Sequence, residues 1–427
     1  MTSATQRGTH TPLLSLDDAR AQMLARVAPL PVESVALEAA LGRVLAESID
    51  SLLTLPPWDN SAMDGFALRS DDVEGAGDDH PIELRVIGES AAGRSFSGKV
   101  TPGTAVRILT GAPMPAGADA VVPIEDTDAP MGAAALPETV TITASRPPGS
   151  HIRRVGSDLR TGYPLLAAGT ELAPAALAVA AAGGHAQLTV HRAPRVAILA
   201  TGDELAPVGQ PLAADQIPDS NTVGLTAQAR DSGAEVRPLG IASDVLEAVV
   251  ARLQGALEWA DVIVVSGGVS VGAHDVVKDA FAQIGSVDLW RVAVQPGKPL
   301  AFGSADRTGA DGEVVLFGLP GNPVSSFVTF ELFVRPVLRR LSGHADVIGR
   351  DHVTAVLTEP VSKSPGRRAF LRVRLAGNDD SGWTAALAGG QDSHVLSALA
   401  AANALAIVSE DDDSLPVGAN VDVIRLR

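Results

Sequence analysis

The stretch that begins at Arg195 alternates short apolar runs with segments of helix length. Every run ends in a turn rich in Gly, Ser, Thr or Asp. The runs are RVAILA (195–200), VRPLGI (236–241), VIVVS (262–266) and VVLFG (314–318). Strands that alternate with helices are typical of a parallel sheet covered by helices on both faces, because parallel strands need a crossover connection. We therefore expect residues 191–342 to form a doubly wound parallel α/β domain.

Two further regions contain short β-prone runs that are broken by turn residues. Residues 51–145 predict an inserted β-rich domain, and residues 349–427 predict a small C-terminal domain that resembles a β-barrel. The runs in the first region are ELRVIG (83–88), AVRILT (105–110), AVVPI (120–124) and VTITA (140–144). Those in the second are VTAVL (353–357), AFLRVRL (369–375), WTAAL (383–387), LAIVS (405–409) and VDVIRLR (421–427).

Helical patterns flank the inserted region and predict one elongated helical domain built from two segments, 13–50 and 146–190. The first helix begins with a capping box, in which Ser15 is followed three residues later by Asp18. The predicted helices run from Ser15 to about Val27, from Glu38 to Ala46 and from Pro174 to Ala182. The whole chain is thus expected to be a multidomain α/β protein with four domains.

The net charge of −17 and the absence of cysteine exclude several kinds of function. Nucleic-acid backbones and anionic membranes repel such an acidic chain, so neither is expected as a partner. No apolar stretch approaches the roughly 20 residues of a membrane span, and the N-terminus does not resemble an export signal, so we expect a cytoplasmic protein. Without thiols the chain has no disulfides, no thiolate zinc site and no Cys nucleophile.

Polar turns follow the four predicted parallel strands at the edge of the sheet where doubly wound domains bind ligands. Adjacent glycines after VIVV allow the backbone to approach a phosphate or a pterin, although a tight turn without a ligand is an equal alternative. The first turn, TGDEL (201–205), is not GxGxxG, which weighs against a dinucleotide-dependent dehydrogenase. The candidate binding residues at this edge are Thr201, Ser266, Gly267, Gly268, Ser270, Gly272, Lys278, Lys298, Pro320, Gly321, Asn322 and Pro323.

The turn GLPGNPVS (318–325) has two compatible interpretations. Asn322 can cap a helix whose first residue is Pro323, which needs no ligand. The N-terminus of such a helix carries a partial positive charge and can also hold an anion.

Four acidic residues, Asp203, Glu204, Asp244 and Asp275, fall on or beside the same turns. Carboxylates next to a phosphate site repel an anionic ligand unless they bind a divalent cation that bridges to it. We therefore predict Mg²⁺, with Glu204, Asp244 and Asp275 as ligands. For any one of these residues alone, a role in a turn or a solvated position is the alternative.

Two loops outside this domain also have the composition of a ligand site. GSHIRRVGSD (149–158) places Arg153, Arg154 and Asp158 between glycines, as suits the binding of an oxyanion, although an RR pair is usually a solvated surface. PPWDNSAMDGFA (56–67) interleaves Asp59 and other polar residues with apolar ones, which favours a ligand loop over a helix or strand. A structural turn is the alternative there.

PPWDNSAMDGFA, SGGVSVG and LPGNPVS occur in the order and at the spacing of the molybdopterin molybdenumtransferase family, which includes MoeA and the gephyrin E domain. The resemblance extends over residues 13–427. It implies a homodimer of elongated four-domain subunits, with each site formed between the doubly wound domain of one subunit and other domains of its partner. It also implies that adenylylated molybdopterin and molybdate react with the help of Mg²⁺, and that AMP is released.

Residue roles follow from the resemblance only where a motif matches. The implied catalytic residues are Asp59, Asp158, Glu204, Asp244 and Asp275. The implied substrate-binding residues are Thr110, Arg153, Arg291, Pro320, Pro323 and Ser393, and Arg154 is a further candidate from the loop composition alone. The chain departs from some relatives where two lysines are replaced by Arg291 and Gln295, and only the arginine keeps the charge.

Two other functions are compatible with the sequence. The doubly wound domain also resembles the enzyme that adenylylates molybdopterin, and contact with that adenylyltransferase is expected of a pathway neighbour. A relative that binds the pterin as a scaffold, without turnover, is the second alternative. The additional domains and Asp59, Asp158, Glu204 and Asp275 favour molybdenum insertion.

Overall fold

A computed structural model of the chain describes residues 13–130, 135–268 and 276–426. Ser270, Gly272 and Asp275, three of the predicted site residues, lie outside the described residues. The elements before residue 192 are α1 (Leu16–Ala25), β1 (Val32–Ala36), β2 (Ile49–Asp50), β3 (Asn60–Ser61), β4 (Gly65–Leu68), β5 (Ile82–Ser90), β6 (Thr104–Ile108), β7 (Ala120–Pro123), β8 (Thr139–Ile142), β9 (Ile152–Arg153), β10 (Pro164–Leu166), α2 (Pro174–Ala182) and β11 (Gln187–His191).

The inserted region forms a five-stranded mixed sheet in the order β7-β4-β6-β5-β8. All four predicted strands are present. Alternating apolar residues of these strands, such as Phe66, Leu68, Val122 and Val140, form a separate buried core. The β-rich character that the sequence predicts for this region is therefore confirmed.

The elongated region is less helical than expected. Its two chain segments pair through β1 with β11 and β2 with β10, and α2 is its one regular helix besides α1 among the described residues. The helix predicted from Glu38 to Ala46 is wrong. Only a 3₁₀ turn, Leu37–Ala39, forms there, Gly42 adopts a φ of +73°, and Leu45 makes a bridge to Val190. Glycine at a positive φ ends a helical turn, and the apolar residues after it are buried by β pairing instead.

Helix α1 also differs from the expected arrangement, because it packs on the doubly wound domain. Ser15 caps it as predicted, with the side chain accepting from the backbone N–H of Asp18. Ala19 and Met23 are fully buried in the core of the doubly wound domain, and Arg20 Nε donates to the carbonyl oxygen of Leu332 at 3.2 Å. The segment 13–50 is thus shared between two units, since the apolar stripe of α1 is covered by the later domain.

The doubly wound domain contains β12 (Arg195–Thr201), β13 (Leu205–Ala206), β14 (Ile217–Pro218), α3 (Ser220–Asp231), β15 (Glu235–Ala242), α4 (Leu246–Leu257), β16 (Val262–Ser266), α5 (Val276–Ile284), β17 (Ser286–Arg291), β18 (Val294–Gln295), β19 (Pro299–Asp306), β20 (Glu313–Leu319), α6 (Pro323–Thr329) and α7 (Arg335–Leu341). A π-helical segment, Phe330–Val334, joins α6 to α7. The sheet order is β15-β12-β16-β20-β19-β17.

The four predicted strands of this sheet are parallel, and β19 and β17 add an antiparallel edge that the sequence did not predict. Alternate residues of the parallel strands enter two different cores. Ile198 and Val264 face one, and Leu199 and Val265 face the other. Helices therefore cover both faces, and the carboxyl ends of β12, β16 and β20 meet at one edge.

The C-terminal elements are β21 (His352–Leu357), β22 (Val361–Ser362), β23 (Arg368–Asn378), β24 (Gly382–Leu387), α8 (Leu396–Ala401), β25 (Ala404–Val408), β26 (Ser414–Leu415) and β27 (Asn420–Arg425). β18 belongs to this six-stranded sheet as well, because it pairs with β23. The order β23-β24-β21-β27-β25 closes on itself, because β25 also pairs with β23. A barrel-like region is therefore present where the sequence predicts one. Within the described part of the chain, no helix is long and apolar enough to cross a membrane.

Candidate functional site

A cleft of about 420 Å³ lies beyond the carboxyl ends of β12, β16 and β20. Its walls come from the turn after β12, the start of α3, the glycine turn after β16, residues around Gly297, and the turn between β20 and α6. The predicted residues that line it are Thr201, Glu204, Ser266, Gly267, Pro320, Gly321, Asn322 and Pro323. The sheet thus brings together residues that are separated by more than one hundred positions in the sequence.

The glycine turn at Gly267 and Gly268 approaches β12 too closely for a side chain. Both residues have a positive φ, +101° and +61°. A methyl group on Gly267 would overlap the carbonyl oxygen of Thr201, and one on Gly268 would lie 3.2 Å from Thr201 Oγ1. That hydroxyl is buried and has no hydrogen-bond partner among the described residues. The cleft therefore has a closely packed glycine turn above a buried hydroxyl that no described residue satisfies.

The PGNP turn starts α6 as predicted, and Asn322 is at the N-cap position. The expected side-chain cap is absent, however, because Asn322 Nδ2 donates to Ser393 Oγ at 3.1 Å instead. The backbone N–H of Val324 donates to the Ser393 carbonyl oxygen at 3.3 Å. Ser393, in the C-terminal part of the chain, therefore lies against the PGNP turn at the rim of the cleft.

Asn221, in the first turn of α3, is a cleft residue that sequence reasoning missed. Its Nδ2 donates to Ser266 Oγ and to the Gly321 carbonyl oxygen, each at 2.7 Å. Asp219 caps the helix by accepting from the Thr222 N–H at 3.0 Å. Its place could have been inferred from topology, because α3 is the crossover helix between β12 and β15. The N-terminus of such a helix lies near the carboxyl end of the strand before it.

Asp203, Glu204 and Asp244 form an acidic group on adjoining turns. Asp203 Oδ1 accepts from the backbone N–H of Asp244 at 3.2 Å. Partial burial, together with the negative charges of Asp203 and Glu204, raises the pKa of Asp244 above its ordinary value. Among residues 13–130, 135–268 and 276–426, no three acidic or histidine side chains are close enough to bind a metal. Of the predicted Mg²⁺ ligands, the structure describes Glu204 and Asp244 alone, and Mg²⁺ binding stays a prediction.

The predicted basic residues have different surroundings. Lys298 lies between Gly297 and Pro299, which line the cleft, and Arg291 pairs with Pro299 in the sheet register. Arg291 Nε is buried without a partner in the described structure. Lys278 is exposed on α5.

Gln295, where some relatives have lysine, has a structural role. Its Oε1 accepts from the backbone N–H of Ser364 at 3.3 Å.

A second group of predicted residues lies where the inserted domain meets the elongated one. β3 pairs with β9, so that Asn60 is opposite Arg153. Asp59 accepts from the Val155 N–H at 2.8 Å and from Arg154 Nη1 at 2.7 Å. These two hydrogen bonds, the backbone one first, hold the pKa of Asp59 below its usual value. The loops PPWDNSAMDGFA and GSHIRRVGSD are therefore joined through an ionised carboxylate.

The TGAP turn belongs to the same group. Asp64 accepts from the Thr110 backbone N–H at 2.6 Å and from Thr110 Oγ1 at 2.8 Å. Arg153 and Asp158 are exposed, and no hydrogen bond or ion pair joins their side chains to other described residues. None of the described residues between 51 and 160 lines the strand-end cleft. The chain therefore presents two separate groups of candidate residues.

The chain matches known protein families along almost its whole length. Residues 14–184 match the MoeA N-terminal region (domain I and II), and residues 197–340 match a probable molybdopterin binding domain. Residues 354–426 match the MoeA C-terminal region (domain IV).

Individual relatives agree with these matches. The chain is 40% identical to molybdopterin molybdenumtransferase 2 of Mycobacterium tuberculosis, with 94% of this chain and 96% of that one covered. It is 35% identical to the molybdopterin molybdenumtransferase of Haemophilus influenzae, with coverage of 96% and 98%. A crystal structure of the molybdopterin biosynthesis MoeA protein from Pyrococcus horikoshii superposes with a TM-score of 0.79 at 27% identity, covering 97% of this chain and all of that one.

Proposed function

The chain belongs to the molybdopterin molybdenumtransferase family, an enzyme family of molybdenum cofactor biosynthesis, and we propose that it acts on adenylylated molybdopterin and molybdate and releases AMP. The observation that carries this proposal is the strand-end cleft. It is lined by the glycine turn, by the buried Thr201 hydroxyl that no described residue satisfies and by the starts of α3 and α6, and helix N-termini suit a phosphoanhydride. The phosphate groups would lie against Gly267 and the PGNP turn.

Glu204 and Asp244 are the residues that would hold Mg²⁺. Partial burial raises the pKa of Asp244, and so do the negative charges of Asp203 and Glu204, whose repulsion a divalent cation relieves. When bound, Mg²⁺ would neutralise charge on the phosphoanhydride as the P–O bond to AMP breaks. Asp275 remains the third proposed ligand.

Arg153 is the proposed molybdate residue. Its guanidinium is exposed and has no competing carboxylate within hydrogen-bonding distance in the described structure. Arg154 has a different task, since it is held by Asp59. A planar guanidinium binds two oxygens of a tetrahedral oxyanion at once, so Arg153 can orient molybdate toward the dithiolene sulfurs.

Most of the catalysis in this proposal is positioning. The cleft fixes the anhydride and Arg153 fixes molybdate. An Asp-oriented water attacks the AMP phosphorus and displaces the molybdopterin phosphate, and the two dithiolene sulfurs bind molybdenum as one oxo group leaves as water with their two protons. The protein has no thiol to compete for molybdenum.

The proposed functional unit is a homodimer. Arg153, Asp59 and Thr110 do not line the strand-end cleft of their own subunit, yet the reaction needs molybdate beside the pterin. A partner subunit would bring these loops to the cleft, and two-fold symmetry would create two equivalent sites.

The experiment is a reconstitution with purified protein, adenylylated molybdopterin, molybdate and Mg²⁺. We expect AMP release and cofactor formation in parallel, and both should fall sharply in the Glu204→Gln variant. A parallel reaction with unadenylylated molybdopterin and ATP tests the adenylylation alternative. Adenylylated product in that reaction, without AMP release in the first, would contradict the proposal.

A further inference from the structure

Asn221 connects three segments that form the strand-end cleft. It lies in the first turn of α3, and its Nδ2 donates to Ser266 Oγ and to the Gly321 carbonyl oxygen. A carbonyl oxygen only accepts, so the atom beside Gly321 must be the amide nitrogen, and the orientation of the amide is fixed. Asn221 Oδ1 accepts no hydrogen bond from the described residues. The side chain therefore acts as a bridge with one open acceptor.

The bridge continues below the cleft. Ser266 Oγ lies 3.3 Å from Ser326 Oγ, and Ser326 donates to the carbonyl oxygen of Pro320. Both serines are buried. Pro320 and Gly321 are thus held against the end of β16 by one connected set of hydrogen bonds that begins at Asn221.

We propose that Asn221 is a positioning residue for the transfer reaction. Its two amide hydrogens hold the start of α3 against the end of β16 and the PGNP turn, and so set the width of the cleft in which the phosphoanhydride lies. This inference rests on the proposed function. Small displacements of groups that orient a substrate cost large factors in rate, which makes this spacing a direct determinant of kcat/KM for the pterin substrate.

The decisive variant is Asn221→Asp, which keeps the shape and removes both donors. An ionised carboxylate beside the Gly321 carbonyl repels it and pushes the PGNP turn away, whereas the protonated acid can donate one hydrogen bond again. The negative charges of neighbouring acidic residues favour the protonated form of the introduced carboxyl group, and the protonated fraction grows as the pH falls. Asn221 lies between two cavities. The charged residues that line them in the described structure are Glu204, Asp219, Asp231, Glu331 and Arg350.

We expect Asn221→Asp to lower kcat/KM for adenylylated molybdopterin by about 10- to 100-fold near pH 8. The ratio of variant to wild-type kcat/KM should rise about threefold or more as pH falls to about 5.5. The KM for molybdate, which is bound by a different group, should change by less than about twofold. Asn221→Ala should lose activity without any recovery at low pH.

Asn378→Asp is the matched control. Asn378 is in an exposed hairpin turn, where only its Oδ1 is used, accepting from the N–H groups of Asp380 and Ser381. The substitution adds the same charge but removes no hydrogen bond, so activity should equal that of the wild type at each pH.

Each outcome decides the inference. Wild-type activity in Asn221→Asp at every pH overturns it. The inference is also overturned if activity falls equally at every pH, the KM for molybdate changes as much as the KM for the pterin substrate, and the Tm is lower. That pattern indicates a purely structural role. If the wild type itself releases no AMP, the proposed function fails and this inference fails with it, whereas an active wild type isolates the role of Asn221.

Discussion

Arg153 and Arg154 are adjacent in sequence, but their surroundings predict different effects. Arg154 Nη1 is bound to Asp59, while Arg153 has no partner among the described residues. We expect Arg153→Ala to raise the KM for molybdate about tenfold or more, because a charge-assisted bond to the anion is lost. Arg154→Ala should raise it by less than about threefold, since its charge is already satisfied by Asp59. Steady-state kinetics with varied molybdate measure both, and equal rises would contradict the assignment of molybdate to Arg153.

The acidic group predicts an effect on stability that depends on pH and Mg²⁺. The pKa of Asp244 is raised, so its ionised form is disfavoured in the fold, and the penalty is present above the folded pKa and absent well below it. Glu204→Gln removes one of the charges that raise this pKa. Because the group is largely exposed, we expect only a small rise of Tm near neutral pH without Mg²⁺, on the order of 1 °C, which disappears at acidic pH.

Thermal unfolding with and without Mg²⁺ measures this effect. Stabilisation by the metal should shrink in Glu204→Gln and persist in a control, Glu138→Gln, at an exposed residue of the inserted domain. An equal gain from Mg²⁺ in the wild type and in Glu204→Gln would exclude Glu204 as a ligand.

The glycine turn is the element whose geometry leaves least freedom. A methyl group at Gly267 faces both a φ of +101° and overlap with the Thr201 carbonyl. We expect Gly267→Ala to lower the Tm of the transition that includes this domain by roughly 5 °C or more and to abolish activity. Gly418 is the control, because its φ is +83° but nothing lies within 4 Å of the added carbon.

The backbone strain is similar at the two positions, so Gly418→Ala should cost about 1 kcal/mol and leave AMP release unchanged. If the two variants behave alike, then strain rather than close packing explains the turn, and its role as a cradle loses support.

At the level of elements, the sequence predicted what local patterning determines. The parallel strands around Val264 and the barrel strands were found because their apolar runs end in clear turn residues. The helix expected from Glu38 failed because Gly42 interrupts it and tertiary pairing of Leu45 replaced helix propensity. The antiparallel strands β17 and β19 were missed because their register depends on neighbours that are distant in sequence.

The candidate site, too, was predictable only where local patterns and topology determine it. Strand-end turns could be assigned to one edge by topology alone, which placed Thr201, Ser266 and Gly321 correctly. Asn221 was missed because its contribution comes from two hydrogen bonds to other segments and not from a local motif. The packing of α1 on the later domain was likewise invisible, since an apolar stripe does not specify which surface covers it.

At the scale of the whole molecule, a set of ion pairs around the buried Glu331 joins the C-terminal barrel to the doubly wound domain. Arg350 donates to Glu331 at 3.2 Å, to Asp231 at 2.9 Å and to the Leu426 carbonyl oxygen at 3.1 Å. Glu331 is also paired with buried Arg335 at 2.7 Å. These contacts help to explain how Ser393 stays beside Asn322, because the barrel that carries it is held close to α3 and the π-helical segment.

The two groups of site residues give the molecule a test that single variants cannot provide. Arg153 belongs to the loop group and Glu204 to the strand-end cleft, and they do not meet in one subunit. The test uses a hybrid of one Arg153→Ala subunit and one Glu204→Gln subunit. If each site is shared between subunits, one of the two sites carries both substitutions and the other site carries neither. With molybdate well below its KM, the hybrid, purified through a different tag on each subunit, should therefore release AMP at about half the wild-type rate, while each parent variant retains about a tenth of that rate or less. If each site lay within one subunit, every site in the hybrid would carry one change, and the hybrid would be as inactive as its parents.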